Sequence, residues 1–142
     1  MYCDIHLFNR SGGTGTPNAY VGGLVGRLSD GNGRIRYSFS RGQVIAQSII
    51  GTVNAGGIVG ERAEGEVHNT AALGSRVVAA GPTARAGRIA GVSGTPVVNL
   101  SNNYSDNLML TGTGTYVAMT DFQTASRLSV VVKIARAGVG GQ

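Results

Sequence analysis

Few groups in this sequence could do chemistry: one cysteine, two histidines, one lysine and seven carboxylates. Cys3-Asp4-Ile5-His6 spaces two metal ligands correctly, but a structural zinc site needs four and no second pair follows. Cys3 also lacks an orienting base, so it does not read as a nucleophile. The expectation is a strand-borne surface His6 beside a buried Cys3. His68 is followed by Asn69, so the His-Glu-x-x-His signature of zinc peptidases is absent. Lys133 follows no G-x-x-x-x-G frame, and no G-x-G-x-x-G occurs to cradle a phosphate. The nearest acid cluster is Glu61, Glu64 and Glu66. Acid/base glycoside hydrolysis needs two carboxylates converging from one face, whereas these three fall on a turn and its flank and read as a solvated loop. No catalytic, cofactor-binding or metal-ligating residue is assigned.

The elements that would position such groups follow from composition. At 142 residues the chain is long enough for a core without disulfides or metal. It holds 24 Gly and 3 Pro, and only 13% of it is charged, about half the usual share of roughly 25%. A glycine-rich, aliphatic chain poor in charge predicts many short strands joined by tight turns. The net charge of +5 rests on arginines and one lysine, but they are scattered and form no basic run beyond Arg34 and Arg36, so nucleic acid is not an indicated partner. No run approaches the ~18 apolar residues of a membrane span. The opening MYCDIHLFNR is neither a signal peptide nor a lipidation motif, so an exported parent is expected to carry its leader outside this piece.

One stretch recurs. VGGLVGRLSDGNGRIRYSFSRG (Val21 to Gly42) returns as AGGIVGERAEGEVHNTAALG (Ala55 to Gly74) and, worn, as AGRIAGVSGTPVVNLSNNYSDN (Ala86 to Asn107). Gly23, Gly57 and Arg88 are equivalent, as are Ile35, Val67 and Leu100, and Gly42, Gly74 and Asn107. A site for chemistry is built once, whereas a unit that stacks on itself is written repeatedly.

Within each copy the period is two, which predicts a strand with one buried and one wet face. Ile35, Tyr37 and Phe39 take the buried positions in the first copy, Val67, Asn69 and Ala71 in the second, and Leu100, Asn102 and Tyr104 in the third. Asn69 over Asn102 is expected as an inward amide pair. The wet positions are Arg34, Arg36, Ser38 and Ser40, then Glu66, His68 and Thr70, then Asn99, Ser101 and Asn103. Here Arg34 should lie over Glu66 and Arg36 over His68. GGLVG is a second strand or a close-packed corner, and QVIA (Gln43 to Ala46) with RVVA (Arg76 to Ala79) supplies a third strand. Three strands per ~32-residue unit describe a coil of a parallel β-solenoid (a β-helix), in which each coil pairs its backbone with its neighbours and none stands alone.

The fold class is therefore all-β, a solenoid of three to four coils with a short C-terminal capping helix and strand. Residues 1–20 form a truncated leading coil with an open edge. Residues 21–54, 55–85 and 86–114 form three repeats, and 115–142 form the cap and a frayed tail. A capping box at Thr120 to Gln123 starts a helix over about Asp121 to Leu128, and Ser129 to Ala135 is a final strand over the last coil. The TGTGT run (Thr111 to Thr115) and TGT (Thr14 to Thr16) read as turns, because no repeat position carries the same threonine on every coil.

VGGLVG followed by G-x-I-x-Y-S-x-S-x-G-x-V (Gly33 to Val44), and AGGIVG with G-x-V-x-N after it, resemble the GLUG motif of bacterial surface proteins. These include filamentous-haemagglutinin-like adhesins and the non-catalytic region of immunoglobulin A peptidases. NLSNNYSDNLMLTGTG (Asn99 to Gly114) resembles the segment that closes such an array. The resemblance implies an exported or cell-surface module that is not an enzyme and needs no cofactor. Its expected role is attachment or spacing, with a surface protein or glycan of a host or neighbouring cell, and further repeats or domains of the parent chain, as partners. An accessory segment of a secreted peptidase, or a carbohydrate-active β-helix, are the rival readings. The ladder Arg34, Arg36, Glu66, His68, Asn99 and Ser101 is the first surface to test.

Overall fold

A computed structural model describes residues 3–9, 17–114 and 133–136 of the chain. The described chain winds as a parallel β-solenoid whose coils each carry five short strands. The first coil has β1 (Ile5–Asn9), β2 (Ala19–Gly22), β3 (Val25–Leu28), β4 (Arg34–Arg36) and β5 (Phe39–Ser40). The second has β6 (Val44–Ser48), β7 (Thr52–Gly56), β8 (Val59–Arg62), β9 (Glu66–His68) and β10 (Ala71–Ala72). The third has β11 (Arg76–Ala80), β12 (Thr83–Gly87), β13 (Ala90–Ser93), β14 (Leu100–Ser101) and β15 (Tyr104–Ser105). Next come β16 (Leu110–Gly114), parallel on β11, and β17 (Lys133–Arg136), antiparallel on β16.

Equivalent strands stack in register. Gly22, Gly56 and Gly87 share a column, Ile35 pairs with Val67 and Val67 with Leu100, and Val44 pairs with Val77. Arg34 sits opposite Glu66 and Arg36 opposite His68, as the spacing predicts. Glycine is required where corners close on one another. A Cβ on Gly57 would lie 2.1 Å from the Arg88 carbonyl oxygen and 2.8 Å from the Ala72 Cβ. Inside run columns of aliphatic side chains, including Val21 and Ala55, Ile58 and Ile89, Val59 and Ala90, and Val44, Ala46, Val77 and Ala79. The column is uneven at its ends. Leu24 on the first coil is 42% exposed, whereas its equivalents Ile58 and Ile89 are 0% and 1% exposed. β1 to β5 each form an edge of their sheets.

Several expectations change. Five strands replace three, because the two-residue strands beside a corner are too short to show a period. GGLVG is both of its alternatives: β2 ends at Gly22, the chain turns a corner, and β3 begins at Val25. The alternation does not run unbroken from Ile35 to Phe39. Tyr37, Asn69 and Asn102 adopt left-handed backbone conformations, with φ of 50°, 53° and 53°. One left-handed residue turns the chain and inverts the phase of everything after it. Thr70 and Asn103, expected in water, turn inward, and Ser40, also expected in water, follows them into the interior with Ala72 and Ser105. Tyr37, Phe39, Asn69, Asn102 and Tyr104, expected inside, are exposed. There is no inward amide pair of Asn69 and Asn102; they are stacked corners. Cys3 is exposed rather than buried, and His6 is half-buried on β1. Thr111 to Gly114 belong to β16 rather than a turn, because β11 supplies a partner for that backbone. The expected helix at 121–128, the tail and Thr14 to Thr16 lie outside the described residues. Of the expected final strand, the described part is β17.

Candidate functional site

β4, β9 and β14 present their outward side chains as the expected polar ladder. Glu66 is its centre. Its Oε2 accepts from Arg34 Nε at 3.2 Å and from Arg36 Nη2. His68 Nε2 lies 3.8 Å from the same oxygen, and His68 Nδ1 is 2.6 Å from Ser101 Oγ. The Arg36 hydrogen bond is the main cause that holds the Glu66 carboxyl below the usual carboxylate range; partial desolvation opposes it, and the charges of Arg34 and Arg36 add to it. Asn99 closes a 3-10 turn over Val97–Asn99 at the edge of the ladder, its backbone N–H donating to Pro96 O at 3.2 Å.

Ser101, His68 and Glu66 thus line up as a hydroxyl, an imidazole and a carboxylate. In a nucleophilic triad the carboxylate accepts a hydrogen bond from the imidazole and fixes its tautomer. Here the gap of 3.8 Å exceeds hydrogen-bond length, and the oxygen in question is held by two guanidinium groups. The chain of groups forms a hydrogen-bonded polar ladder in which two guanidinium groups share one carboxylate.

The other carboxylates are placed differently from the expected loop. Glu61 is on β8 and pairs with Arg27 at 3.4 Å, while Arg27 lies over the Tyr20 ring, 5.3 Å from its centroid. Glu64 stays exposed in the turn between β8 and β9. Among the described residues, no three of His, Cys, Asp and Glu gather as a metal site. A depression lined by Cys3, Gly23, Leu24, Phe39, Ser40 and Arg41 holds about 70 Å³. Pockets that enclose small-molecule ligands are several times larger, roughly 300–1,000 Å³.

Beyond the corner the surface changes character. Phe39 on β5 and Tyr104 on β15 both pair with Ala71 on the intervening β10, so the three form one outward column. Phe39 is 53% exposed, Tyr104 62% and Tyr37, at the corner, 82%. The polar ladder and these rings lie on neighbouring sheets that meet at the corner where Asn69 and Asn102 are exposed. Period-two reading missed the rings by carrying its phase through the corner. The available signal was the asparagine at positions 69 and 102, a residue enriched in left-handed backbone.

Two arginines do work of another kind. Arg62 is fully buried and donates to Ser93 Oγ at 2.9 Å, to the carbonyls of Gly65 and Pro96 at 3.1 and 3.0 Å, and to that of Gly94. Burial lowers its pKa from the ordinary guanidinium value. Arg88, also fully buried, donates to the carbonyls of Asn107 and Met109 at 3.1 Å each. Both hold the loops that follow the third coil's strands.

No curated protein and no solved structure shows a match to the chain. Residues 17–45 match the family model described as the GLUG motif. That segment opens just before β2 and closes within β6, one turn of the column. The chain therefore carries a GLUG motif in its first coil.

Proposed function

We propose that this chain is a non-catalytic attachment and spacing module of an exported or cell-surface protein. The observation that carries the reading is the register itself: residues 31 to 34 apart stand over one another, so side chains on successive coils merge into a continuous outer face. A ladder of paired polar groups beside exposed rings, fixed by inter-coil pairing, suits recognition of an extended surface. The GLUG motif supports an extracellular setting, where such modules would lie between or beside other domains. The edge strands of the first coil and the half-exposed Leu24 would accept a further coil of the parent chain.

The test is attachment of beads carrying the chain to a cell monolayer. Beads should be retained well above uncoated beads. Replacing Arg34 and Arg36 together by Ala should lower retention several-fold, with circular dichroism at the assay temperature showing that the variant stays folded. Retention equal to uncoated beads would remove attachment from the reading.

A further inference from the structure

The rings of Phe39 and Tyr104 are placed against ordinary preference. On the same strands Ser40 and Ser105 face the interior, while the aromatic side chains stand in water. Folding alone rewards the opposite arrangement. An apolar surface exposed on a rigid element, rimmed by polar groups, marks a contact site.

We propose that this column is a platform for a linear, neutral, β-1,4-linked glycan lying along the solenoid axis. The proposal rests on the attachment reading and names the ligand class for its face. Three observations converge on it. First, spacing: Phe39 and Tyr104 are two strand separations apart, about 9.6 Å, with Ala71 leaving a shallow step between them. An extended β-1,4 chain repeats every two sugars over a comparable length, so each ring can stack on the C–H face of alternate sugars. Stacking platforms work this way for other chains of flat rings. Second, rigidity: parallel pairing of β5, β10 and β15 fixes the rungs, so little order must be created on binding. Third, the flank: the left-handed corners hold Asn69 and Asn102 at the surface, where amides can donate to and accept from hydroxyls. Arg34 and Arg36 share the single carboxylate of Glu66, which leaves one net positive charge on the neighbouring sheet, whereas the rings and amides of the platform itself carry none.

The test is native affinity electrophoresis of the whole chain, run towards the cathode as its pI of about 10.0 requires. Separate gels contain hydroxyethylcellulose, soluble xylan, galactomannan or the α-linked polymer dextran. The expected result is retardation by at least one β-1,4 polymer and none by dextran. The double variant F39A/Y104A should weaken retardation at least about tenfold, as loss of stacked rings does elsewhere. R85A, which removes an exposed arginine on β12 in another sheet, should retain it. Circular dichroism of each variant checks the fold, and Y104A alone serves if the double variant unfolds. No retardation by any β-1,4 polymer, equal retardation by dextran, or unchanged retardation of F39A/Y104A overturns the proposal. Bead retention separates the two readings: a chain that holds to cells but ignores every polymer fails here and keeps the attachment role.

Discussion

Asn103 holds Thr70 of the coil before it from two directions. Its Oδ1 accepts from the Thr70 backbone N–H at 3.1 Å and from Thr70 Oγ1 at 2.9 Å, while its Nδ2 donates to Val67 O at 2.8 Å. Thr70 is buried, so water cannot replace these bonds. Asn103→Ala strands a donor, a hydroxyl and a carbonyl, and should cost about 2–4 kcal/mol in urea unfolding. Thr70→Val removes only the hydroxyl and should cost about 1 kcal/mol. A loss below about 1 kcal/mol for Asn103→Ala would show that the side chain does not tie the coils together.

Arg62 makes a second test of inter-coil fastening. Its guanidinium fans out to three carbonyls and a hydroxyl, a geometry an ammonium group cannot copy. Arg62→Met keeps the volume but leaves those carbonyls without their donor, and should destabilise by roughly 3 kcal/mol or more. Arg62→Lys should recover less than half of that loss. Full recovery by lysine would mean that charge, rather than the fork, holds the loop. The readout is the shift in urea midpoint at constant slope.

The inter-coil register was legible because strict glycine landmarks flank a period-two strand. Gly23 over Gly57 and Ile35 over Val67 left one alignment, and Arg34 over Glu66 followed. The corner was not legible in the same way. Period-two patterning assumes extended backbone, and Tyr37, Asn69 and Asn102 leave it for one residue. That single departure sent Thr70 and Asn103 inside and Phe39 and Tyr104 outside. The burial of Arg62 and Arg88 was not legible for another reason. An arginine in a sequence signals surface, and only the folded loops reveal carbonyls waiting for five donors. The candidate face was therefore half visible: its polar ladder could be named by residue number, its rings could not.

Acid should loosen the ladder. Arg34, Arg36 and His68 face Glu66, and the Arg36 hydrogen bond foremost lowers its pKa from the model-compound value of 4.5. A group whose folded pKa is depressed contributes stability above its unfolded pKa and loses it as pH falls through the folded one. Wild type should therefore unfold at higher temperature than Glu66→Gln near pH 6, and the gap should close as pH drops below about 4. A gap that persists unchanged to pH 2 would mean that the glutamate stabilises through something other than its charge.

Tyr37 sits where its two equivalents are asparagine, and the comparison separates stability from binding. A left-handed backbone costs an ordinary residue roughly 1–2 kcal/mol, and asparagine bears it more easily. Tyr37 is 82% exposed, so its ring gains little from the interior to offset that strain. Tyr37→Asn should raise stability by roughly 0.5–1 kcal/mol, about the part of the strain that asparagine relieves. If the ring extends the platform formed with Phe39 and Tyr104, the same variant should be less retarded in the β-1,4 polymer gels. Gain of stability with loss of retardation would place Tyr37 among the residues kept for contact at the expense of the fold. A variant less stable than wild type would show that the exposed ring supports the corner, and would remove strain from the account of it.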